Sequence, residues 1–121
     1  MYYQNVRGLR TKSDTFFESV LVSDFDVLCI TETWLTSAIS SSEYFTNDYR
    51  VFRCDRDSTG SSSVLGGGVL TAVRRSISSF RRTDLELNEC VWIEIRVANE
   101  RNLLIGNYYF PPRSVLMEYE M

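Results

Sequence analysis

Hydrophobic positions along the 121-residue chain change their spacing several times, and each change predicts an element. Tyr2-Tyr3-Gln4-Asn5-Val6 is short, aromatic and β-prone, and it stops at Gly8, which predicts a strand followed by a loop. Phe16, Phe17, Val20 and Leu21 recur at one-turn spacing and predict the apolar face of a helix over roughly 13–23. Ser13, Asp14 and Thr15 offer caps for it, and Thr15 with Glu18 has capping-box spacing. Asp26-Val27-Leu28-Cys29-Ile30-Thr31 is a continuous apolar run, the signature of a strand buried on both faces. Strand, helix and strand within this span predict a right-handed βαβ unit.

Beyond it the pattern turns antiparallel. Thr36 to Ser42 is serine-rich and predicts a loop or short turn, and Arg50-Val51-Phe52-Arg53 a short strand. Asp57 to Ser63 is a polar Ser/Gly loop. Val69-Leu70-Thr71-Ala72-Val73 predicts a second buried strand, with Gly66-Gly67-Gly68 as a flexible entry. From Glu89 to Val97 the chain alternates: Val91, Ile93, Ile95 and Val97 face one way, Trp92, Glu94 and Arg96 the other. A turn near Ala98–Arg101 leads into Leu103–Tyr109, predicting a hairpin that Pro111-Pro112 ends. Trp92 and Tyr108 are open to two readings, base-stacking platforms or core. The expected architecture is an α/β fold, mostly one mixed sheet with one main helix. Since only that helix is long enough to cover a sheet face, the other face is expected to lack a cover within this chain.

Composition narrows the chemistry. The chain has no histidine, so a Ser-His-Asp or Cys-His nucleophile and a His-containing zinc site are excluded within it. A net charge of −3 gives no bulk attraction to nucleic acid. Every cation but Lys12 is an arginine, however, with clusters at Arg7, Arg10 and at Arg74, Arg75, Arg81, Arg82. Those clusters read either as a solvated face or as phosphate contacts. Cys29, Cys54 and Cys90 lack Cys-x-x-Cys spacing and predict reduced thiols in an intracellular protein. No apolar run approaches a membrane span and no signal peptide opens the chain, so a soluble protein without a membrane partner is expected.

Two polar residues stand at strand ends. Asn5 closes the first strand and Glu32 follows the apolar second one. In a parallel pair both leave the same carboxyl edge, where open α/β sheets place ligands. A carboxylate beside a carboxamide suits magnesium, which takes one or two protein carboxylates and completes its shell with water and phosphate. On spacing alone the same residues also read as an exposed strand-end acid and a turn residue. Tyr109 lies at the end of the last strand, and its hydroxyl reaches that edge if the strand is aligned. No Lys-Ser or Lys-Thr follows the glycines, so a P-loop is excluded.

The segments Tyr3-Gln4-Asn5-Val6-Arg7-Gly8-Leu9, Cys29-Ile30-Thr31-Glu32-Thr33-Trp34-Leu35, Gly67-Gly68-Val69-Leu70-Thr71-Ala72-Val73 and Asn107-Tyr108-Tyr109-Phe110-Pro111-Pro112 occur in this order. This resembles the endonuclease/exonuclease/phosphatase family with its DNase I-like α/β sandwich, and most of all the endonuclease domain of non-LTR (LINE-type) retrotransposons. The resemblance implies a magnesium-dependent hydrolysis of DNA phosphodiesters in the nucleus or cytoplasm. It implies that Glu32 ligates the metal, that Asn5 helps hold metal and scissile phosphate, and that Tyr109 contacts the phosphate. Pro112 stands where the family often has asparagine. Arg7 and Arg10 follow Asn5 in a loop that would meet the DNA backbone. The family's later Asp-x-Asn and Asp-His motifs are not in this sequence, so residues 1–121 are expected to be the N-terminal half of a domain, inactive alone. Two other readings stay open: a non-catalytic nucleic-acid-binding or interaction module using the arginines, and part of a phosphatase of the same superfamily.

Overall fold

The computed structural model describes residues 1–9, 12–56, 67–87, 89–97 and 101–109. Among the described residues seven strands and one α-helix run in the order β1 (Tyr2–Asn5), α1 (Ser13–Leu21), β2 (Val27–Thr31), β3 (Tyr49–Cys54), β4 (Val69–Arg74), β5 (Ser79–Arg81), β6 (Cys90–Arg96) and β7 (Asn102–Tyr108). They form two sheets. The first is mixed, in the order β1-β2-β4-β3, and the second is three-stranded, in the order β5-β6-β7. The expected parallel pairing is present, with Tyr2 opposite Leu28 and Asn5 opposite Thr31. The expected hairpin is the antiparallel β6–β7 pair, from Arg96 opposite Asn102 to Cys90 opposite Tyr108. Among the described residues no helix is long and apolar enough to cross a membrane.

All five residues of β2 are buried, as the continuous apolar run predicts, because the strand has a layer on each side. Leu28 and Ile30 join Val20, Leu35, Tyr44, Phe45, Leu70 and Ala72 on the helix side. Val27 and Cys29 join Val69 and Val73 against Val91, Ile93, Ile95 and Ile105 of the second sheet. Successive side chains of a strand point to opposite faces, so one apolar run serves two cores.

This corrects the expectation of an uncovered sheet face. The strands after β4 do not extend the first sheet. The chain turns after Arg74, where Ile77 N–H donates to the Arg74 carbonyl at 2.9 Å, and β5 pairs with β6. The alternating apolar face of β6 then lies on the first sheet. The opposite face of β6 carries Trp92, which meets Tyr108 edge-on at 5.8 Å and donates to its hydroxyl at 2.5 Å. The two aromatics therefore pack on one another. Val97 lies past the end of β6 and is 40% exposed.

The helix begins at Ser13, the predicted start, but not through the expected cap. Its cap position is Lys12, with no side-chain capping bond, so the Thr15–Glu18 box is not used. Fully buried Leu9 sets the entry instead, its carbonyl accepting from Lys12 N–H at 2.9 Å, which places Thr15 inside the first turn. Phe16 packs edge-on against Tyr44 and Phe45, whereas Leu21 at the last turn is exposed.

Candidate active site

The parallel pairing sends two chain segments off one edge, and backbone bonds hold them together. Val6 N–H donates to the Thr31 carbonyl at 3.0 Å, Gly8 to Glu32 at 2.7 Å and Leu9 to Thr33 at 2.9 Å. From the other side Thr33 donates to Gly68 at 3.2 Å and Trp34 to Gly67 at 3.0 Å. Six residues here have left-handed backbone: Arg7 (φ 51°), Gly8 (98°), Glu32 (55°), Trp34 (57°), Gly67 (69°) and Gly68 (89°). Non-glycine residues seldom adopt that region, and each costs on the order of 1 kcal/mol or more. Three such residues on two bonded segments mark the place where the fold spends stability on geometry.

The glycines are therefore not a flexible entry. A Cβ on Gly68 would lie 2.5 Å from Thr33 Oγ1, and one on Gly67 would lie 2.5 Å from Arg56 Nε. Gly66 lies outside the described residues. Gly68→Ala is expected to cost about 1–3 kcal/mol, because it adds left-handed strain and pushes on Thr33, which is fully buried next to Glu32. Urea unfolding measures it. A loss under about 0.5 kcal/mol, the range of ordinary surface changes, would mean the loop yields freely.

Glu32 is half-buried. Tyr109, arriving from the end of β7, donates its hydroxyl to Glu32 Oε1 at 3.1 Å, so the alignment that the sequence left conditional is met. Asn5 is exposed at the end of β1, opposite the residue before Glu32. Arg7 is exposed in the loop that follows, and Arg10 lies outside the described residues. Burial first, and then the Glu32 carboxylate that accepts from it, pushes the Tyr109 pKa above its ordinary value. The hydroxyl is thus a proton-bearing donor at neutral pH.

Two further residues belong to the group, and sequence reading did not find them. The Arg56 guanidinium stands 5.5 Å from the centre of the Tyr109 ring and is paired through Nε and Nη2 with the two carboxylate oxygens of Glu89. Its pKa is raised chiefly by the hydrogen bond to Glu89. The Glu89 carbonyl in turn accepts from Tyr109 N–H at 3.2 Å. Thirty-three positions separate Arg56 from Glu89, and no local pattern signals such a pair.

The second arginine cluster is engaged within the fold. Arg74 pairs with Asp26 at 3.4 Å, and Arg75 donates to the Asn47 carbonyl at 2.8 Å. Arg81 chelates Glu86, and Arg82 bridges Asp84 and Glu94. Their planar forks satisfy carboxylates and carbonyls of this chain, which weakens the reading of these four as a phosphate-binding face.

Among the described residues no group of three or more His, Cys, Asp or Glu side chains could hold a metal ion. The donors at this edge are all hard oxygens, one carboxylate and one carboxamide with a phenol alongside. That set fits a magnesium ion that draws the rest of its shell from water and phosphate.

A two-sheet α/β sandwich with a glutamate, a tyrosine and an asparagine at one strand edge defines a class, and the family comparison agrees. The chain belongs to the Endonuclease/Exonuclease/phosphatase family, whose model matches residues 3–120. Among solved structures it is similar in fold to the endonuclease domain of TRAS1, a telomere-specific non-LTR retrotransposon, with a TM-score of 0.61 and 16% identity. The match covers 93% of this chain and 44% of that one, so the chain spans less than half of the solved domain. No curated protein sequence matches it.

Proposed function

We propose that this chain is the metal-site half of a magnesium-dependent DNA endonuclease domain of the non-LTR retrotransposon type, and that it does not cleave DNA alone. The observation that carries the reading is the Tyr109–Glu32 hydrogen bond at 3.1 Å. It joins the end of β7 to the edge where the parallel β1–β2 pair delivers Asn5. Glu32 would hold the divalent cation, Asn5 would help seat it and the scissile phosphate, and the Tyr109 hydroxyl would donate to a phosphate oxygen. A bound cation there supplies charge neutralisation for phosphoryl chemistry. Arg7 and Arg10 would meet the DNA backbone. Deprotonating the attacking water calls for a base that the three residues do not provide, and the chain has no histidine to supply one. The place of action would be the nucleus or cytoplasm.

Two measurements test this. Supercoiled plasmid incubated with the purified chain and magnesium is expected to stay uncut relative to a metal-free control. Nicking that disappears in Glu32→Ala would overturn the proposed inactivity. Substoichiometric manganese is expected to broaden the amide resonances of Asn5, Glu32 and Thr33 first, and to spare them in Glu32→Gln. Uniform broadening, or none, would remove Glu32 as the metal ligand.

A further inference from the structure

We propose that Arg56 and Glu89 are positioning residues for Tyr109, a two-sided bracket that sets its hydroxyl against Glu32. The proposal rests on the reading of Tyr109 and Glu32 as the site.

Tyr109 lies beyond the ladder of β7, whose final pair is Cys90 with Tyr108. Past that pair its backbone is held by the Glu89 carbonyl, at 3.2 Å from Tyr109 N. Its ring is faced by the Arg56 guanidinium at 5.5 Å. A cation over an aromatic face is attracted by the ring's negative quadrupole, which favours one ring orientation. The two holds are one device, because both carboxylate oxygens of Glu89 accept from Arg56. Glu89 thus uses its carbonyl on the tyrosine backbone and its carboxylate on the group that fixes the ring.

The bracket also joins the two layers. Arg56 follows β3 of the first sheet, Glu89 precedes β6 of the second, and Tyr109 leaves β7 to reach Glu32 at the end of β2. Gly67 makes room for it: a Cβ there would lie 2.5 Å from Arg56 Nε and 2.8 Å from Glu89 Oε2. A guanidinium with two donors on one carboxylate keeps its plane, whereas a lysine ammonium would not. The charge so held stands over the tyrosine ring.

The test uses the full chain without metal or DNA, so its outcome is separate from that of the manganese and plasmid measurements. Tyrosine labelled with ¹³C at Cζ reports hydrogen bonding of the phenol at neutral pH, and Tyr109→Phe assigns the resonance. Glu32→Ala gives the signal of Tyr109 without its carboxylate acceptor. Arg56→Ala and Glu89→Ala are each expected to move the Tyr109 resonance most of the way to that value. In the Glu32→Ala background the same changes are expected to move it little further. Arg56→Lys is expected to give the intermediate signal of a bracket that keeps charge and loses the fork. It also serves where the alanine variant does not fold.

The proposal is overturned if folded Arg56→Ala or Arg56→Lys leaves the resonance at its original position. It is overturned equally if the displacement is the same with and without Glu32, which would make Arg56 a mere electrostatic neighbour of the ring.

Discussion

Asn107→Asp is expected to destabilise the protein by on the order of 4 kcal/mol at pH 7, and by much less below about pH 4. Asn107 is 3% exposed and reaches from β7 across to the first sheet. Its amide nitrogen donates to the Leu70 carbonyl at 2.9 Å, the Ile30 carbonyl at 3.2 Å and Thr71 Oγ1 at 3.3 Å. Aspartate has the same shape and none of those donors when ionised. It would set a charge against three oxygen atoms in the buried layer between the sheets.

The sign follows from linkage. Burial and facing acceptors raise the folded-state pKa of the introduced carboxyl above its unfolded value. The folded state therefore binds more protons, and stability falls as pH rises from about 4, the ordinary value for aspartate, through the folded pKa. In acid the protonated group can donate to one carbonyl again. Urea unfolding across pH measures both arms, with Gln4→Glu on exposed β1 as a control expected within about 0.5 kcal/mol of the parent. A loss that is small or independent of pH would mean that Asn107 is not the buried link between the sheets.

Ile93→Ala is expected to cost about 2–5 kcal/mol. Ile93 is fully buried in the layer where β6 meets Val27, Cys29, Val69 and Val73. Removing most of its side chain forfeits transfer free energy and leaves a cavity that two sheets, each held by its own ladder, fill only in part. The same experiment reads cooperativity. Far-UV circular dichroism and tryptophan fluorescence are expected to report one coincident transition, since Trp92 sits on the very strand that closes the core. Separate transitions would mean that the second sheet unfolds by itself. A loss under about 1 kcal/mol would mean the layer is loosely packed.

Both predictions concern contacts between layers, and that is where sequence reading stopped. Period-2 alternation in β6 and the unbroken apolar run of β2 located their elements, because burial on one or two faces acts on each residue directly. Alternation says that Val91, Ile93 and Ile95 need a cover. It does not say that the cover is the far side of β2 and β4, and so spacing alone reads the second sheet as part of the first. The capping signal at Thr15 and Glu18 failed for a related reason: buried Leu9 fixes where the chain enters α1, and a local cap yields to a core residue.

The candidate site divides the same way. Asn5 and Glu32 were legible because each ends a predicted strand, and Tyr109 because it precedes Phe110-Pro111-Pro112. Arg56 and Glu89 were not. Each reads alone as an ordinary charged loop residue, and only the approach of two sheets makes them a pair.

By itself the sequence determined every strand but β5, the helix, the βαβ start and the residues at the strand ends, along with the exclusion of histidine chemistry. These follow from short-range rules of spacing and composition. Only the tertiary structure decided that the later strands fold over as a second layer, that Tyr109 reaches Glu32, and that Arg56, Glu89 and Asn107 hold the layers in place. Those are long-range contacts. Their energies depend on which surfaces meet, and nothing in the local spacing of residues records that.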